Sequence, residues 1–192
     1  MSWIPLTEAP RSSTTDPLRA IYERIRERSS AGRVNHVWQV QGGDPAALDA
    51  SFQLYRQLMD DPAPLTKAQA ELIALVVSAT NGCGYCVAHA GPRVAAALGD
   101  ETLARAVARD YREANLAARD RVLLDAAVAL TCEPCERKLE DVERLREYGF
   151  DDRGILRMTT IAAYYNLVNR IACGLGVPLE DGVAPWEFGA QR

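Results

Sequence analysis

Ten residues near the middle of the chain, Ala70 to Ala79, are apolar on almost every side, with Glu71 as the single charge among them. Ahead of them, Thr66-Lys-Ala-Gln69 has the spacing of a capping box, in which each side chain satisfies a backbone N–H of the other residue. Asn81-Gly82 ends the run. A helix that is apolar all round has no face to give to water, so it has to lie in the middle of other helices. This one stretch requires a multi-helix bundle around it.

The rest of the chain supplies the neighbours. Thr15-Asp16-Pro17 opens a helix with Leu18, Ile21, Tyr22 and Ile25 at helical spacing, and a short apolar segment runs from Val34 to Val40. Asp44-Pro45 starts another helix, with Leu48, Phe52, Tyr55 and Leu58 on one face. Helical character resumes from Cys83 to Leu98, where Pro92 is expected to end or kink it. Leu103, Val107 and Tyr111 mark a further helix, as does the apolar face Val122, Leu123, Ala126 and Leu130 between Ala117 and Leu130. Glu140 to Tyr148 is amphipathic and stops at Gly149. A long last helix begins at Asp151-Asp152, carries Ile155, Ile161, Leu167, Val168 and Ile171, and stops at Gly176. No strand alternation of useful length is present. The expected fold is all-α, one domain over residues 1–192. Within it, 1–62 form an N-terminal helical layer, 63–130 the core, 131–176 the C-terminal helices and 177–192 an irregular tail.

With 192 residues, 48% of them hydrophobic and 25% charged, the chain can build a core of ordinary size without disulfide staples. A net charge of −4 with both signs interspersed leaves no basic footprint for nucleic acid, and no apolar run is long enough to span a bilayer. The first residues lack the basic and apolar regions of a signal peptide, so a cytoplasmic location is expected.

There are five cysteines, of which Cys83 and Cys86 form one Cys-x-x-Cys pair, Cys132 and Cys135 a second, and Cys173 stands alone. An odd count without an export signal argues against a structural disulfide framework and for redox or metal chemistry. One of only two histidines, His89, follows Cys86 by three residues. On a helix Cys83 then faces Cys86, and Cys86 faces His89. The Asn81-Gly82 break puts both thiols at a helix N-terminus, where free N–H groups favour thiolate, and a neutral imidazole at His89 can take the thiol proton. Because a carboxylate in an apolar helix is costly unless paired, Glu71 is the candidate to orient His89 once the two helices fold back on each other.

Glu71, eleven intervening residues and then Cys83-Gly-Tyr-Cys86-Val-Ala-His89 resembles the signature of the AhpD-like branch of the carboxymuconolactone decarboxylase superfamily. The stretch from Glu71 to Cys86, with Ala162-Ala-Tyr-Tyr-Asn-Leu-Val-Asn-Arg170 and Gly174-Leu-Gly-Val-Pro, is similar to its peroxidase-related subgroup. The resemblance implies an AhpD-like multi-helix bundle that assembles as a dimer, trimer or hexamer. It also implies a thiol peroxidase that takes a hydroperoxide substrate, needs no cofactor or metal, and is reduced by a dithiol partner such as a lipoyl protein or a thioredoxin-like donor. In the family the second cysteine attacks peroxide and the first resolves, which maps to Cys86 and Cys83. The helix-terminus argument alone favours the opposite order. The AhpD pattern has a histidine where this chain has Tyr85, and a relay histidine where this chain has Ala90. His89 is the form of the peroxidase-related subgroup.

Other readings stand beside this one: general thiol–disulfide exchange, or a redox-sensing or zinc-binding helical module. Cys132 and Cys135 are a second redox pair, part of a four-sulfur zinc site with Cys83 and Cys86, or incidental. Cys173, in an apolar helical stretch, is expected to be a small buried hydrophobe. His36 is expected to be a surface or packed histidine. Tyr85 is either a hydroxyl donor to the thiolate or peroxide, or an aromatic packing residue. Asn166 and Arg170, four apart, are a packing or interface pair.

Overall fold

A computed structural model of the protein describes residues 2–8, 16–29 and 32–189. Among them the regular structure is entirely helical. In chain order the α-helices are α1 (Pro17–Arg28), α2 (His36–Gln39), α3 (Pro45–Met59), α4 (Lys67–Thr80), α5 (Gly84–Leu98), α6 (Glu101–Asp110), α7 (Ala118–Cys132), α8 (Leu139–Glu147) and α9 (Asp152–Gly174). A 3₁₀ turn at Pro134–Glu136 lies between α7 and α8. Of the signal at Thr15-Asp16-Pro17, Thr15 lies outside the described residues, while Asp16 accepts from the Leu18 amide as the cap of α1.

The apolar helix occupies the place its composition demands. Gln69 to Thr80 of α4 are all buried, and α5, α6, α7 and α9 pack around it, with α3 laid across from the N-terminal side. The Thr66–Gln69 capping box is complete at the start of α4. Burying helices on every side leaves α4 no room for an unpaired polar group. Ser78 and Thr80 accordingly turn their hydroxyls back to the Ala74 and Val76 carbonyls.

Helices α4 and α5 form an antiparallel hairpin about Gly82, whose φ of +68° is the left-handed conformation that so short a reversal, of three residues, requires. Of the two outcomes expected at Pro92, an end or a kink, the first does not occur: helix α5 runs through the proline to a left-handed glycine cap at Gly99. The proline removes one intrahelical hydrogen bond, and the packing of α5 between α4 and α6 outweighs that loss.

After α9 the described residues, up to 189, have no regular structure, yet they are well anchored. Residues 177–189 run as a strap back over α5 and reach α6, where the Gly189 amide donates to the Ala108 carbonyl at 3.1 Å. The Trp186 indole lies on α5 at Gly91, so close that a Cβ there would come within 2.3 Å of the ring. On its other side the ring carries the Arg105 guanidinium, 4.4 Å from the centroid.

Candidate active site

The turn at Gly82 delivers Cys83 as the N-cap residue of α5, with its amide bonded to the Ser78 carbonyl, and puts Cys86 on the first turn of the helix. Both thiols are nearly closed to solvent, Cys83 at 1% and Cys86 at 5% exposure. They face different surroundings. Cys86 lines a cavity of about 480 Å³ together with Tyr85, His89 and Arg93 from the same helix, and its walls include Trp38, Tyr55, Tyr164, Tyr165 and Trp186. Cys83 does not line the cavity. The neighbouring Cys86 thiol and burial push the Cys83 thiol far up.

The carboxylate at His89 is Glu180, from the strap. His89 Nε2 lies 2.8 Å from Glu180 Oε2, the Tyr85 hydroxyl donates to Glu180 Oε1 at 2.6 Å, and the His36 backbone amide donates to the same oxygen at 2.6 Å. The Tyr85 oxygen in turn accepts from the Val37 amide at 3.2 Å. Burial pushes the Glu180 carboxyl up, but the bonds from His89, Tyr85 and the His36 amide outweigh it and hold it down at about 2. A carboxylate accepting from Nε2–H fixes that tautomer of a neutral imidazole and leaves Nδ1 with its lone pair free for a proton. The Tyr85 and His89 rings lie 4.7 Å apart between centroids, so packing also restrains the imidazole. Tyr85 is both a packing residue and a hydroxyl donor, but its donor bond goes to Glu180 and not to a thiolate, because a buried charged carboxylate is the stronger acceptor.

Glu71, expected to orient His89, does something else. Its Oε2 meets Arg93 Nε at 2.9 Å and its Oε1 forms an ion pair with Lys67 Nζ at 3.0 Å. The reason is hairpin register: Gly82 lies eleven residues from Glu71 and eleven from Arg93, so Glu71 comes opposite Arg93, one turn beyond His89. Burial raises the Glu71 carboxyl, and the charges and hydrogen bonds of Arg93 and Lys67 bring it below the ordinary range. Arg93 spans from this ion pair to the cavity wall and donates to the Tyr165 hydroxyl at 3.2 Å.

Two residues of this site lie outside the sequence-based expectations. Glu180 lies in a tail without periodicity, 91 residues from the histidine it meets, and no local pattern marks it. Arg93 had a signal, being four residues after His89 and so on the same face of α5.

The other candidates fall elsewhere. His36 is packed, with Nδ1 2.9 Å from the Pro178 carbonyl, and serves the site only through its backbone. Cys132 ends α7 and Cys135 lies in the 3₁₀ turn, both exposed, and among the described residues no three His, Cys, Asp or Glu side chains gather as ligands for a metal. Arg170 donates to Asn166 Oδ1 at 2.6 Å, and Asn166 in turn accepts from Asn81 beside the thiol loop at 3.0 Å. Cys173 is not buried as expected. The last turn of α9 rolls it to the surface, while the apolar positions around it cover Ala172 and Val177 instead.

The model of the carboxymuconolactone decarboxylase family matches residues 45–101, from α3 to the start of α6. An uncharacterized peroxidase-related protein from Silicibacter sp. TM1040 is 31% identical, with a TM-score of 0.85 over 95% of this chain and 93% of its own. An uncharacterized peroxidase-related protein from Ralstonia eutropha JMP134, described as an alkylhydroperoxidase AhpD core, is 30% identical, with a TM-score of 0.83 over 96% and 97%. The debrominase Bmp8, solved in complex with 2,3,4-tribromopyrrole, shares the fold at 18% identity, with a TM-score of 0.75 over 92% and 91%. No curated protein matches the chain.

Proposed function

The chain belongs to the AhpD-like side of the carboxymuconolactone decarboxylase superfamily, and from that membership we propose that it is a thiol-dependent peroxidase with Cys86 as the attacking sulfur. The observation that carries the reading is the unequal placement of the thiols. Cys86 fronts a cavity that also holds His89, whereas Cys83 is buried and does not line it.

The geometry supports the following roles. His89, its tautomer held by Glu180, takes the Cys86 proton at Nδ1. The Cys86 sulfur attacks the terminal oxygen of a hydroperoxide, the O–O bond breaks, and Cys86 becomes a sulfenic acid. The alkoxide leaves as alcohol with the proton that His89 held. Cys83 then attacks the Cys86 sulfur, water leaves, and the Cys83–Cys86 disulfide closes. Two electrons from a dithiol donor, such as a lipoyl protein or thioredoxin-like protein, restore the thiols. Glu71, paired with Arg93 and Lys67, fixes the α4–α5 hairpin and so positions the machinery without touching it.

General disulfide exchange on protein substrates fits less well, because a protein disulfide cannot reach sulfurs that are 1% and 5% exposed. The test is the thiol state after treatment with cumene hydroperoxide, with free thiols blocked and peptides mapped. A Cys83–Cys86 disulfide is expected in the wild type, with none in Cys86→Ser and no turnover by that variant. Hydroperoxide that leaves Cys83 and Cys86 as free thiols overturns the reading.

A further inference from the structure

A buried disulfide poses a difficulty for the dithiol donor that must reduce it, and the back of the site offers an answer. Cys83 does not end in the core. The thiol of Cys173, on the last turn of α9, lies close enough for the two thiols to perturb each other. Backbone register places the two together independently. Asn169, one turn earlier on the same face of α9, accepts from Asn81 Nδ2 at 2.9 Å and donates to Ser78 Oγ at 3.1 Å, clamping α9 to the loop that carries Cys83. Cys173 is exposed, whereas Cys83 and Cys86 are buried. Cys86 thus lines the cavity, Cys83 neighbours it, and Cys173 neighbours Cys83 and is open to solvent.

We propose that Cys173 is a third redox thiol that carries the disulfide outward, an inference that rests on the peroxidase reading above. Once Cys83 and Cys86 are joined, the Cys173 thiol gives its proton to solvent and its sulfur attacks Cys83 Sγ. The Cys83–Cys86 bond breaks, Cys86 leaves as the thiolate that the next hydroperoxide requires, and a Cys83–Cys173 disulfide forms. The exchange consumes no oxidant or reductant. The external dithiol then meets a disulfide with one sulfur at the surface, reduces it with two electrons and leaves oxidised itself. Oxidation also primes the attacking thiol. In the reduced protein burial and the neighbouring Cys83 thiol push the Cys173 thiol up, and a Cys83 held in a disulfide no longer does so.

The test uses the full chain with Cys132→Ser and Cys135→Ser, which removes two thiols outside the site. One equivalent of diamide oxidises it without calling on peroxide chemistry, and a parallel sample receives cumene hydroperoxide. With Cys86→Ser added, diamide is expected to give a mapped Cys83–Cys173 disulfide. With Cys86 intact, reduction of the oxidised protein by dithiothreitol is expected to slow about tenfold in Cys173→Ala. Failure to find the Cys83–Cys173 link, or an unchanged reduction rate in Cys173→Ala, overturns the relay. The mapping in Cys86→Ser decides the matter even if Cys173→Ala does not fold. Hydroperoxide that leaves every thiol intact while diamide forms the link removes the peroxidase reading and keeps the relay. Hydroperoxide that closes Cys83–Cys86 while no Cys83–Cys173 link ever forms does the reverse.

Discussion

Two buried glutamates serve two regions of this molecule, and they are neutralised by different means. Glu71, 1% exposed on the central helix, faces Arg93 and Lys67, which carry their charge at any physiological pH. Glu180, 5% exposed on the irregular strap, faces an imidazole, a phenol and a backbone amide. The first arrangement is an ion pair that holds two helices in register. The second balances a charge with dipoles and an imidazole, the kind of side chain a proton-transfer site uses. The cost of burying a carboxylate is thus equally visible in both, and only the kind of partner tells structure from chemistry.

If that distinction holds, the two carboxylates fail differently when neutralised. The largest effect is expected in Glu180→Gln, where turnover with hydroperoxide per folded molecule falls on the order of 10²-fold because the imidazole loses the partner that fixes its tautomer. Steady-state rates at matched thiol content, with helicity checked by circular dichroism, measure it. Activity within a factor of about three of wild type would remove Glu180 from the proton path. Glu71→Gln is expected to act on stability instead. It leaves Arg93 without its counter-charge and costs about 1–3 kcal/mol, less than for a fully buried pair because Arg93 and Lys67 remain partly exposed. Urea unfolding reads this cost, and a normal midpoint with lost turnover would assign the catalytic role to Glu71 after all.

The smallest expected effect is on acid stability. Glu180 is held at about 2 in the folded protein against an ordinary value of 4.5, so its contribution is present above about 4.5 and lost as the pH falls towards 2. Urea midpoints of the wild type should decline through that window, and those of Glu180→Gln should decline less steeply. Identical slopes would mean that Glu180 is not depressed by its partners.

What the sequence made legible divides along the same line. Helical spacing, capping residues and the all-apolar stretch carry the bundle, because each depends on neighbours a few residues apart. The same local logic finds Cys83, Cys86 and His89, which share one helix. It fails where partners are distant. Glu71 was sent to His89 rather than Arg93 because two helices can fold back in more than one register, and the length of the turn decides which. Glu180 was missed since the strap has no period to read. Cys173 was misjudged because the apolar residues around it record the burial of Ala172 and Val177, and a helix terminus can still turn one residue in four outward.

The Gly91–Trp186 contact has a consequence for how such a chain can change over generations. The indole of the strap that carries Glu180 lies where any side chain at position 91 would stand. The order of substitutions is therefore constrained. A glycine-to-alanine step at 91 is disfavoured until the indole at 186 has gone, whereas loss of the indole leaves 91 free to drift. The two positions, 95 residues apart in the chain, are inherited as one.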